Sequence, residues 1–205
     1  MELMTVEGRT YGGQSAEQRS QDRRTRLLDA ARDLIADTGV APLTVDLVCQ
    51  RANLSKRYFY TEFATKDDLL DACAEDLYRR LSEGIEHAIE TTPLMERINA
   101  ALRFVVRMLA SSPADARLYM ESAGFPRLRA RQQQVVRDVT ERMAVAGMPF
   151  TGRPKRSVDR VLATRALVTA TTELITGWLH GDIDTDEDTL VATITAVSLG
   201  AARSI

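Results

Sequence analysis

The stretch from Thr44 to Lys66, TVDLVCQRANLSKRYFYTEFATK, constrains this chain more than any other. It reads as two short helices joined by a tight turn. Thr44 is placed to cap the first, because a hydroxyl oxygen there accepts from a free backbone N–H of the opening turn. Val45, Val48 and Cys49 follow at helical spacing and make one apolar face. Arg51-Ala52-Asn53-Leu54 interrupts that rhythm, and asparagine is among the few residues besides glycine that accept a left-handed backbone. Ser55 stands as a second N-cap, opening a helix that carries Lys56, Arg57, Tyr58 and Tyr60 on its polar side and turns Phe59 and Phe63 inward. A helix this short is not stable alone. Neighbours must hold it, and its cationic, aromatic side is left for a partner.

A helix presented in this way suits the major groove of double-stranded DNA, with hydroxyls, helix N-termini and Lys or Arg on phosphates and side chains near the helix start on base edges. The pattern Thr44-x3-Val48-x3-Ala52-Asn53-Leu54-Ser55-x4-Tyr60-x2-Phe63-x2-Lys66, followed by Asp-Asp-Leu-Leu, resembles the helix-turn-helix of the TetR (tetracycline-repressor) family of transcriptional regulators. The match is ungapped over this stretch. Asn53 stands where that family usually has Gly, and Glu62 where an aromatic residue or His is common. The resemblance implies Thr44, Ser55, Tyr60 and Lys66 as phosphate contacts, and Lys56, Arg57 and Tyr58 as base or phosphate contacts. A carboxylate at position 62 would repel phosphate, and it favours the competing reading, a helical scaffold or protein-interaction module that binds no operator.

Overall charge does not advertise a nucleic-acid partner: the chain of 205 residues carries a formal −2. Its distribution is more telling. Residues 19–66 hold nine basic and six acidic side chains, whereas residues 1–18 and 67–205 are each net acidic. A cationic head on an acidic body keeps the body off the duplex. No apolar run approaches membrane-spanning length and no signal peptide is legible, so a cytoplasmic protein with no membrane partner is expected. Cys49 and Cys73, among apolar helical residues, read as small buried hydrophobes of a reducing compartment.

Periodicity along the chain is helical throughout. Residues 1–18 read as a flexible arm, 19–66 as a three-helix DNA-binding head, and 67–205 as a ligand-binding and dimerisation body. Arg19 to Thr38 carries the stripe Leu27, Ala31, Leu34, Ile35 and ends at Gly39, with Pro42 blocking continuation. Arg23, Arg24 and Arg26 crowd its first turns, the end less favourable to cations, where a nearby phosphate would offset the cost. Further helices are expected from Asp67 through Ile85, from Pro93 to Leu109, from Ala114 to Ala123, from Pro126 to about Ala146, from Lys155 to His180 and from Asp186 to Ala202. The fold class is therefore all-α, about nine helices, three in the head and six in the body.

Catalytic chemistry is not legible. There is no Gly-rich phosphate loop or nucleophile elbow, and His87 and His180 lack partners at metal-ligand spacing. No catalytic residue, metal or cofactor is expected. The resemblance implies instead an unidentified small-molecule effector within the body. Phe104, Met108, Tyr119, Met120, Phe125 and Trp178 offer bulky, adaptable walls, and Arg165 and Glu173 interrupt an otherwise apolar or small-residue helix. The last two helices carry two apolar stripes, Val161, Leu162, Val168, Ile175, Leu179 and Leu190, Ile194, Val197, Ala201, beside many small residues. One face of the pair can cover the body's core while the other packs on a two-fold copy as a four-helix bundle. The expected assembly is a homodimer on a palindromic DNA operator.

Overall fold

A computed structural model describes residues 15–145 and 159–204. Among them nine α-helices succeed one another: α1 (Ala16–Thr38), α2 (Val45–Ala52), α3 (Lys56–Glu62), α4 (Lys66–Thr91), α5 (Arg97–Ala110), α6 (Pro113–Glu121), α7 (Pro126–Val145), α8 (Arg160–His180) and α9 (Glu187–Ser204), with a 3-10 turn at Ser122–Gly124. No strand occurs among the described residues. The all-α class and the order of elements are as the sequence reads.

Boundaries differ where a cap outranks periodicity. α1 starts at Ala16 because Ser15 accepts from the Gln18 N–H while the Gln18 side chain accepts from the Ser15 N–H. α5 starts at Arg97, not Pro93: residues 94–96 form a turn in which the Glu96 N–H reaches the Pro93 carbonyl at 2.8 Å. Met95, inside the stretch expected to be helical, is consequently more than half exposed. α8 is capped by Asp159, whose carboxylate accepts from Val161 and Leu162. The stretch 155–158, expected in that helix, and most of the expected arm lie outside the described residues.

The apolar stripe of α1 is buried as expected, with Leu27, Ala31 and Ile35 fully inside. From there one continuous core runs through α2, α3 and α4 into α5, α8 and α9. A buried leucine of this kind stabilises by roughly 1.5–3 kcal/mol relative to leaving it exposed. Cys49 and Cys73 belong to this core, and burial pushes the Cys73 thiol up to about 12.

Polar contacts seat α1 against α4 and α6. Arg32 donates to Asp76, Arg80 donates to the same carboxylate, and Arg80 donates again to both oxygens of buried Asp115 at 2.9 and 3.0 Å. Beyond α1, Gly39 has φ 88°, a backbone few side chains accept, and a Cβ there would lie 2.6 Å from the Glu121 carboxylate. That carboxylate, at the end of α6, accepts from the Val40 N–H at 2.8 Å.

Candidate nucleic-acid interface and internal cavity

α2 and α3 are joined by a turn made from the residues that interrupt the helical rhythm. Thr44 caps α2, accepting from the Leu47 N–H at 3.3 Å. Asn53 is left-handed (φ 51°, ψ 50°), its N–H reaching the Gln50 carbonyl, while the Leu54 N–H reaches Cys49 at 3.0 Å. Leu54 packs on the core. This closure satisfies the last carbonyls of α2 and sets the direction in which α3 leaves.

Ser55 occupies the N-cap position of α3, but its hydroxyl makes no capping bond; only its carbonyl is used, by Tyr58 and Phe59. The expected side-chain cap is thus corrected. α3 is held from behind instead. Phe59 and Phe63 are buried, with ring centroids 5.9 Å apart. Arg24 stacks over Phe63 and donates to the Glu62 carbonyl at 3.3 Å. Arg26 donates to the carbonyls of Ala52 and Asn53 at 2.6 and 3.1 Å, a cation at the C-terminal end of α2 where the helix dipole favours it.

Glu62 also differs from expectation. Its side chain, 7% exposed, accepts from Ser20 at 2.8–2.9 Å and is paired with Arg23 at 3.0 Å. The carboxylate is turned toward α1 and neutralised, so it does not face an incoming phosphate. Arg23 in addition lies 5.2 Å from the centroid of the Tyr58 ring. Arg23, Arg24 and Arg26 are therefore engaged within the head, holding α3 and the turn.

What remains on the outside is the predicted set. Thr44, Ser55, Lys56, Arg57, Tyr58 and Tyr60 are exposed, and Lys66, the first residue of α4, is half-buried. Lys56 pairs with Asp46 of α2 at 2.6 Å, and the hydrogen bond to that carboxylate raises the lysine above its ordinary value. The Arg57 guanidinium has no partner among the described residues. Leu47 on α2, 40% exposed, extends the surface.

The body holds a cavity lined from α4, α5, α6, α7, α8 and α9, about 950 Å³ including the part open to solvent. Its walls are apolar, with Leu81, Ile85, Leu102, Val136, Val139 and Val168 prominent. Of the eight residues expected to form the pocket, only Tyr119 lines it. Phe104 instead points the tip of its ring at Gly84, so close that a Cβ there would come within 1.9 Å of it. Met108, Met120 and Phe125 are half-buried side chains away from the lining, and the Trp178 indole N–H donates to the Thr185 carbonyl at 2.8 Å, pinning the turn into α9. Arg165 and Glu173 are exposed on the outer face of α8. Aliphatic wall residues carry no signature by which sequence reasoning would have separated them from core.

The last two helices divide their stripes. Ile175, Leu190 and Ile194 are buried within the chain, whereas Val161, Leu162, Leu174 and Val197 stay 38–65% exposed. Val168 and Leu179 are intermediate.

Fold and surface define an all-helical protein with a helix-turn-helix head. Residues 27–73 match the family of bacterial regulatory proteins, tetR family. The chain is 28% identical over 105 residues to the uncharacterized HTH-type transcriptional regulator YhgD of Bacillus subtilis, covering 51% of this chain and 55% of that one. It is 27% identical over 113 residues to the HTH-type transcriptional regulator EthR of Mycolicibacterium smegmatis, covering 54% and 52%. The HTH-type transcriptional activator FasR of the same organism is 26% identical over 83% of this chain and 78% of its own length. The chain thus spans about half the length of the first two relatives. Among solved structures, FadR from Bacillus subtilis in complex with stearoyl-CoA superposes with a TM-score of 0.71 at 20% identity, covering 86% of this chain and 98% of that one. RolR in complex with resorcinol gives 0.62 at 21%, covering 92% and 94%. At these identities the superpositions speak for the fold alone. Residues 27–73 are thus similar to the DNA-binding segment of tetR-family regulators, and the whole chain shares their fold.

Proposed function

We propose that the protein is a cytoplasmic, ligand-responsive transcriptional regulator, a repressor released from a palindromic DNA operator by a small molecule held in the body cavity. Residues 19–66 are the reading head, 67–205 the effector and dimerisation body, and 1–18 an arm. The observation that carries the reading is the outer face of α3: Lys56, Arg57, Tyr58 and Tyr60 are exposed together, while the one carboxylate of the helix is turned inward. In this reading Thr44, Ser55, Tyr60 and Lys66 hold phosphates, and Lys56, Arg57 and Tyr58 reach bases or phosphates. With Glu62 paired to Arg23, the feature that favoured a scaffold without operator binding loses its force.

Two further observations support the assembly and the effector. Val161, Leu162, Leu174 and Val197 leave an apolar face on α8 and α9, beside exposed Ala166, Ala170, Ala192 and Ala196 that permit close helix approach. A second copy seated there gives two heads at fixed separation, which a palindromic site requires. The cavity has the mainly apolar walls of an effector site, and related folds carry stearoyl-CoA and resorcinol.

A genome-wide map of bound DNA identifies the operator, and gel-shift titrations then test the reading. Operator affinity should fall steeply with salt. Arg57→Ala should relax sequence preference at a cost of roughly 1–3 kcal/mol on the operator. A folded Arg57→Ala protein that matches wild type on operator and random DNA alike overturns the contact. In ultracentrifugation the wild type should sediment as a dimer and Val197→Glu as a monomer; a wild-type mass near 22.8 kDa refutes the assembly.

A further inference from the structure

The body cavity has a chemical character finer than its size. No charged side chain lines it among the described residues. An anion or cation drawn inside would leave its water without meeting a counter-ion. The polar groups that do line it are all neutral, and several have hydrogen-bonding capacity that the protein does not use.

Ser198 is the clearest. It lines the cavity from α9 and is 5% exposed, yet its hydroxyl has no hydrogen-bond partner among the described residues. Helical Ser and Thr ordinarily return to the carbonyl four residues back, as Thr140, Thr172 and Ser122 do here. Ser198 retains a donor and two acceptor positions at the cavity wall. A second polar point is made by α6, α7 and α8. Tyr119 and Thr172 both line the cavity there, and the Thr172 proton is committed to the Val168 carbonyl at 2.9 Å. The Gln132 amide nitrogen donates to the Tyr119 carbonyl at 3.4 Å, which leaves the Gln132 amide oxygen without a partner. This corner offers a free acceptor beside neutral donors.

We propose that the cavity binds an uncharged, elongated, mainly apolar molecule bearing a hydroxyl group, with hydroxyl recognition by Ser198 and by the neutral polar corner at Tyr119 and Gln132. A hydroxyl donates to the unused Gln132 oxygen and also exchanges both roles with a serine. Gln132 and Met143 both line the cavity and stand about 16 Å apart along α7 at about 1.5 Å per residue, which sets the elongation. The assignment rests on reading the cavity as the effector site.

Calorimetric titration of the full-length protein with 1-decanol, decyl methyl ether, decanoate and decylammonium at about pH 8 tests it, since the acid and amine are then charged. The alcohol should bind about tenfold tighter than either ion, and several-fold tighter than the ether, which accepts but cannot donate. Ser198→Ala and Tyr119→Phe should each shrink the alcohol's advantage over the ether while the protein keeps its melting temperature. Equal or tighter binding of decanoate or decylammonium overturns the proposal. So does an alcohol-to-ether ratio that neither substitution moves, or binding by none of the four. The wild-type ligand series needs no variant to fold. An alcohol that binds as expected and leaves operator affinity unchanged overturns the regulatory reading and leaves this assignment standing.

Discussion

The α2–α3 unit and the body cavity are held in opposite ways. Around α3, orientation comes from directional contacts: Arg23 and Ser20 on the Glu62 carboxylate, Arg24 over Phe63, Arg26 on the carbonyls that end α2. Around the cavity, the walls are mainly aliphatic, with a few neutral polar groups among them, and most contacts have no preferred direction. A seven-residue helix cannot hold its own angle. Hydrogen bonds and ion pairs define angles, whereas dispersion defines only density. A reading helix thus needs a polar back, while a chamber for an apolar guest is better made of side chains that shift by small steps. The same division explains why the charges of α3 are sorted, with the carboxylate behind and the cations in front.

The strongest way to break that contrast is to remove the carboxylate behind α3. Glu62→Ala leaves Arg23 without its partner and should cost about 2–3 kcal/mol, below the roughly 3–5 of a fully buried pair because Arg23 is partly exposed. Hydrogen exchange should show faster opening of residues 56–62, with α5 unchanged, and operator binding should drop. Glu62→Gln keeps the acceptor from Ser20 and should lose about half as much; equal losses would mean that the charge is not what holds α3.

Gly84→Ala tests the body in the same terms. The new methyl meets the Phe104 ring, and overpacking of this kind costs about 1–3 kcal/mol. Denaturant midpoints should fall while exchange in α3 keeps its relation to global stability. An unchanged midpoint would show that α5 gives way without cost.

The smallest expected effect sharpens the role of Ser55. Because its hydroxyl caps nothing, Ser55→Ala should change stability by no more than about 0.5 kcal/mol. A drop in DNA affinity at constant stability then assigns the hydroxyl to a phosphate; a loss of about 1 kcal/mol would reinstate it as a cap.

Much of the head was legible because its signals are local. Thr44 and Asn53 act on residues three or four positions away, and Phe59 and Phe63 share a face through helical period alone. The Glu62 contacts were not legible, since Ser20 and Arg23 are about forty residues distant in sequence and nothing in either segment names the other. The pocket failed for a related reason. Bulk and aromaticity drew attention to Phe104 and Trp178, yet the first fills the groove over Gly84 and the second pins a turn. A void is defined by what surrounds it, and its lining of Leu, Ile and Val is the composition of any core.

By itself, then, the sequence determined the helices, their order, the left-handed joint at Asn53 and the exposed row from Lys56 to Tyr60, because caps, turns and periodicity act over a few residues. Only the tertiary structure decided that Glu62 faces α1, that three arginines clamp the head, and that the cavity is lined from α4, α5, α6, α7, α8 and α9. These depend on which distant segments meet. Packing settles that through the whole core at once, and no short stretch of chain encodes it alone.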